Sequence, residues 1–137
     1  MSISPVFSDA FFILQPMKQL LFVFIGGGLG SVLRYAFGKF LNGSESTIPL
    51  GTFTANVLGS LFIGIVLGLA AKHQSISQNY ILLIATGFCG GFTTFSSFAY
   101  ENHTFLKSGD FLSFAWYTIG TFIVGFAAVF AGLYLVK

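Results

Sequence analysis

Residues 87–98 read Gly87-Phe88-Cys89-Gly90-Gly91-Phe92-Thr93-Thr94-Phe95-Ser96-Ser97-Phe98, placing two adjacent glycines and four hydroxyls inside an otherwise apolar run. In hydrocarbon, unsatisfied polar groups cost several kcal/mol each, so this stretch fits a protein interior or an ion path rather than a lipid anchor. Gly90 and Gly91 predict a break in a helix, and carbonyls freed there can coordinate a cation. Phe95 and Phe98 are three apart and share a helical face. Such a pair commonly packs, but ring edges carry the positive end of the quadrupole and can line a path for a small anion.

Other polar residues sit at helical spacing in apolar surroundings. Thr52, Asn56 and Ser60 are four apart and fall on one face. The amide of Asn56 must find partners in hydrocarbon, either on a neighbouring helix or on a permeating ion. Arg34 lies about a turn and a half before the end of its apolar run, which fits either snorkelling to water or a cationic funnel for anions. Glu101 reads as a carboxylate closing its span at a helix end. Ser113, Tyr117, Thr121 and Gly125 form a mildly polar stripe of the kind that faces other helices.

The elements that must position these residues follow from composition. The chain has 137 residues, 55% of them hydrophobic and 7% charged, far below the charge of a soluble domain. Runs 50–71, 80–100 and 111–136 carry no charge, and run 19–40 is interrupted only by Arg34 and Lys39. Each is long enough to cross a bilayer, which takes about 20 residues. The fold class is therefore all-α integral membrane: four transmembrane helices with a break in the third, joined by connections around 42–47, 72–79 and 102–110. Lys18, Lys72 and Lys137 fall on one side, and Arg34, Lys39 and Lys107 on the other. That balance fits either dual-topology insertion in both orientations, which allows an antiparallel pair, or a fixed topology set by one or two charges such as Lys18. Residues 1–17 form an N-terminal extension and 18–137 the membrane domain. The extension lacks a basic start and a cleavage site, and Met17 is a second candidate start.

Several function classes drop out. His73 and His103 lie far apart, and no Cys, His and carboxylate group has metal-ligand spacing. No Ser/His/acid arrangement is evident, and the glycine clusters lie in membrane spans rather than at a phosphate loop, so no enzyme is supported. Cys89, the single cysteine, reads as a small buried hydrophobe. A net charge of +2, dispersed along the chain, excludes a nucleic-acid surface. A proton-coupled small multidrug exporter remains the alternative transporter, since it too has four short helices. It requires an exchangeable carboxylate within a span. A structural subunit is the third reading.

Three motifs carry a resemblance: Gly26-Gly27-Gly28-Leu29-Gly30-Ser31-Val32-Leu33-Arg34-Tyr35, then Gly51-Thr52 with Asn56, then Gly87 through Phe98. With them the chain resembles the Fluc-type fluoride channels, or CrcB family, over about residues 18 to 137. The resemblance implies an antiparallel homodimer in the cell (inner or plasma) membrane that passively exports fluoride and so confers fluoride resistance. It implies that Phe95 and Phe98 line the pore, that Asn56 donates to the anion and that Arg34 sits in an aqueous vestibule. Thr52, Ser96, Ser97, Glu101, Tyr117 and Thr121 are further candidates for the anion pathway. Backbone carbonyls of Gly90 and Thr93 from both subunits would hold a structural sodium ion, Na+, at the dimer centre. The first 16 residues depart from the short family N-terminus, and Gly125 stands where a hydroxyl is often found.

Overall fold

A computed structural model describes residues 5–137, with side chains from residue 13 onward. Among the described residues, four spans are long and apolar enough to cross a membrane. The first helix, Pro5–Leu41, has 37 residues. At 1.5 Å per residue that is about 55 Å, against about 30 Å of hydrocarbon. Pro16 lies inside it, so the stretch of the extension from Pro5 onward continues the span as helix, and residues 1–4 lie outside the described part. The second helix is Leu50–Lys72 and the fourth is Phe111–Leu135.

The third span, Gln78–Ser108, is built in pieces. An α-helical turn at Gln78–Ile81 leads into a π-helical stretch at Leu82–Cys89, then a turn at Gly90–Phe92. Thr93 (φ −79°, ψ 154°) and Thr94 (φ −150°, ψ 123°) are extended, and Phe95–Ser108 is α-helical. The extended backbone thus falls on two threonines, whereas the sequence reading put the irregularity at Gly90 and Gly91, which are helical.

The glycines serve close approach instead. A Cβ at Gly26 would overlap the carbonyl of Leu83, one at Gly30 that of Phe88, and one at Gly91 that of Gly27. The first helix and the first half of the third span therefore pack backbone against backbone, as small residues allow in lipid. The second and fourth helices do the same at Gly64 and Gly132. At one end Lys72 Nζ donates to the carbonyls of Val136 (3.3 Å) and Lys137 (3.2 Å), which puts Lys72 and Lys137 on the same side.

One expected boundary moves. The third connection was placed at 102–110, but the helix continues to Ser108 and the turn is only Gly109 and Asp110. Gly109 at φ 77° permits a Schellman closure, with Gly109 N–H donating to Leu106 (3.2 Å) and Asp110 N–H to Phe105 (2.9 Å). Asp110 then caps the fourth helix by accepting the Ser113 N–H at 3.0 Å. Bonds from the side chain and backbone of Ser113 hold its carboxyl below the usual range.

Candidate ion pathway

The second half of the third span begins where Thr94 leaves helical geometry, and an extended pair in mid-membrane strands its own backbone polar groups. Asn56, on the facing helix, satisfies both groups of Thr94: the Thr94 N–H donates to Oδ1 at 2.7 Å and Nδ2 donates to the Thr94 carbonyl at 3.1 Å. One of the two Asn56 amide hydrogens remains for another acceptor. The Thr94 hydroxyl caps the new helix by accepting the Ser97 N–H (3.2 Å), and it also meets the hydroxyls of Ser97 (3.3 Å) and Ser96 (3.2 Å).

Phe95 and Phe98 then lie with ring centroids 5.9 Å apart and planes tilted by 47°. Their surroundings differ sharply. Phe95 is 73% exposed while Phe98 is 6% exposed, resting on Tyr117 (5.2 Å) and edge-on against Phe122 (6.0 Å). Both rings line a cavity of about 420 Å³ with Asn56, Ser60, Gly90, Thr93 and Thr121. The Thr121 hydroxyl is buried there with no hydrogen-bond partner among the described residues.

A second cavity of about 310 Å³ is lined by Arg34, Lys39, Thr52 and Ser97, with Tyr35 and Gly38. The same two elements serve both spaces: Thr52 and Ser97 line this one, while Asn56, a turn after Thr52, and Phe98, the residue after Ser97, line the other. Arg34 is not free in its cavity. Its Nε donates to the Gly91 carbonyl at 3.0 Å, an acceptor shared with the Ser31 hydroxyl at 3.4 Å. A cation at the negative end of a half-helix is well placed by the peptide dipoles.

Glu101 requires correction. It was read as a carboxylate at a helix end, but the helix runs seven residues beyond it to Ser108. Its two oxygens each accept a short hydroxyl bond of 2.6 Å, from Thr52 and from Tyr117. Thr52 and Tyr117 are 7% and 2% exposed and Glu101 is half-buried, so this chain of three side chains ties the second, third and fourth spans together.

The Gly90 carbonyl has lost its helical donor, since the Thr94 N–H turns to Asn56; the Thr93 N–H and hydroxyl both go to Cys89 (2.9 and 2.8 Å). No group of three His, Cys, Asp or Glu residues suited to a metal occurs among the described residues. The sequence reading missed Ser31, Lys39, Asn102 and Thr118 as contributors. Asn102 was assigned to a loop, yet it is buried on the second half-helix and bonded to Thr118.

A family model described as CrcB-like protein, Camphor Resistance, matches residues 21–133. A protein of Gloeothece citriformis named fluoride-specific ion channel FluC is 52% identical over 122 residues, covering 88% of this chain and 98% of the relative. A protein of the same name from Chlorobium phaeobacteroides is 40% identical over 125 residues, 91% of this chain and 97% of the relative. One from Leptospira interrogans is 41% identical over 124 residues, 88% and 95% respectively.

Proposed function

Because this chain belongs to the CrcB-like protein family, we propose that it is a fluoride-selective channel, a multi-pass protein of the cell (inner or plasma) membrane. Passive permeation makes and breaks no covalent bond, so it is not an enzyme. The observation that carries the reading is the larger cavity, which Asn56, Thr121, Phe95 and Phe98 line together, with the Thr121 hydroxyl buried beside it and without a partner among the described residues. Fluoride is small and tightly hydrated, and a pore must replace that water with donors. Neutral hydroxyl, amide and ring-edge donors do so without the trapping that a fixed cation would cause. Arg34 and Lys39 supply positive potential at the mouth, drawing the anion toward Thr52 and Ser97. Ser96, Glu101 and Tyr117 line neither cavity; Glu101 and Tyr117 back the path by bonding to each other and, through Glu101, to Thr52. A narrow bore between phenyl walls would exclude the larger chloride.

The channel is completed by a second copy in the opposite orientation. The exposure of Phe95 on an open cavity supports this, as does the equal division of Lys and Arg between the two sides. The residues present suit a structural Na+ at the dimer centre: Gly90 and Thr93 offer hard carbonyl oxygens, and that of Gly90 is released from its helix. Bound there, the ion would supply positive charge that holds the ends of two half-helices together.

Fluoride efflux from proteoliposomes, with a potassium ionophore dissipating voltage, tests the reading. Rapid electrogenic fluoride release with almost no chloride release is expected, and comparable chloride release refutes it. One observation favours the multidrug alternative: Glu101 lies within a span. Drug uptake driven by an imposed pH gradient, without fluoride current, would establish that alternative instead.

A further inference from the structure

We propose that Asn102 and Thr118 form a clasp that positions the Phe98 ring on the ion path, a role that rests on the channel reading and lies outside the Thr52–Glu101–Tyr117 chain. Asn102 stands one turn after Phe98 and is 7% exposed. Its Nδ2 donates to the Phe98 carbonyl at 3.1 Å, and its Oδ1 accepts the Thr118 hydroxyl at 3.0 Å. A single side chain thus grips the backbone of the residue whose ring faces the cavity and, at the same time, the helix against which that ring rests.

Helix formation does not account for an asparagine here. Its side chain competes with the helical backbone, and burying an amide at membrane depth is unfavourable unless both of its ends find partners. Geometry supplies the reason. Neighbouring residues of one helix, Glu101 and Asn102, bond to neighbouring residues of another, Tyr117 and Thr118. One such bond leaves the helices free to pivot about it; two at adjacent positions fix both rotation and sliding. Phe122, one turn beyond Thr118, presents its ring edge-on to Phe98 with planes at 85°. Register between these helices therefore sets where the Phe98 ring points. The second half of the third span, unlike the first, has no glycine-mediated backbone approach to hold that register.

Single-channel fluoride current in planar bilayers tests the clasp, because current per open channel does not depend on how much protein folds. Thr118→Val removes the hydroxyl at nearly constant volume, and Asn102→Leu removes both amide bonds. Each is expected to lower unitary current about three- to tenfold, with the double variant no lower than the more affected single one, as coupled residues behave. Thr118→Ser, which keeps the hydroxyl, is expected to restore the parental current. If Asn102→Leu fails to assemble, the Thr118 pair decides. Parental current in Thr118→Val, even with reduced yield, or additive losses in the double variant, overturns the proposal. Absence of fluoride current in the parent would instead overturn the channel reading.

Discussion

Replacing Asn56 by leucine removes both bonds that satisfy Thr94, the N–H to Oδ1 at 2.7 Å and the Nδ2 to carbonyl at 3.1 Å. Bonds between side chain and backbone in membrane proteins are worth about 0.6 to 1.7 kcal/mol each, so the pair contributes about 1 to 3 kcal/mol. The extended backbone of Thr93 and Thr94 cannot recover this by becoming helical without moving Phe95 and Phe98, so the loss falls on the junction itself. Equilibrium unfolding by dodecyl sulfate in mixed micelles should show Asn56→Leu destabilised by that amount, with fluoride efflux abolished. Asn56→Asp separates the two roles. It keeps an oxygen for the Thr94 N–H, so about half of the destabilisation is expected, but it offers no N–H to an anion and adds negative charge, so efflux should stop. An Asn56→Leu protein as stable as its parent would refute the idea that this amide holds the junction open.

The remaining predictions concern packing, the rings and the turn. Gly30→Ala places a methyl against the Phe88 carbonyl and should destabilise by about 1 to 3 kcal/mol in the same titration, whereas Gly28→Ala, facing open space, should be nearly neutral. Phe95→Ile should lower fluoride efflux with dimer content unchanged in cross-linking; Phe98→Ile should lower both efflux and stability, because only Phe98 is buried against Tyr117 and Phe122. Bonds from Ser113 hold the Asp110 carboxyl below the ordinary carboxylate range, so its contribution is present above that range and is lost as pH falls through the lower, folded value. The stability gap between the parent and Asp110→Asn at pH 7 should accordingly close at strongly acidic pH.

Much of this was legible in the sequence, and the failures have physical causes. Apolar run length located all four spans, and the four-residue spacing of Thr52, Asn56 and Ser60 placed them along one face that lines the two cavities. Run length failed at the third span because Glu101 was taken as the helix end and Asn102, His103 and Thr104 as part of a polar connection. They are helical, and the first two point into other helices where hydroxyls meet them. Polarity alone cannot distinguish a loop from an internally paired face. The irregularity was assigned to glycine for the same kind of reason: glycine tolerates any backbone, but these glycines are required by neighbouring carbonyls, and threonine, a β-branched residue, takes the extended angles without strain. Asn56 was expected to bond a neighbouring helix or the anion; that its partner is the backbone of Thr94 is invisible without the fold.

The two halves of the third span are secured by different physics, and this bears on which half carries the ion. The first half lies backbone against backbone on the first helix, where a single added methyl would collide. Such contacts are short and unyielding, and they suit a fixed scaffold. The second half is held by side-chain polar ties, Asn56 to Thr94, Glu101 to Thr52 and Tyr117, and Asn102 to Thr118. Side chains that reach between helices leave room between them, which backbone contact does not, and the cavities that face Phe98 and Ser97 border this half. A path for an ion can exist only where helices are kept apart yet in register. Polar ties meet both conditions, and the extended threonines between the halves let each be oriented for its own task.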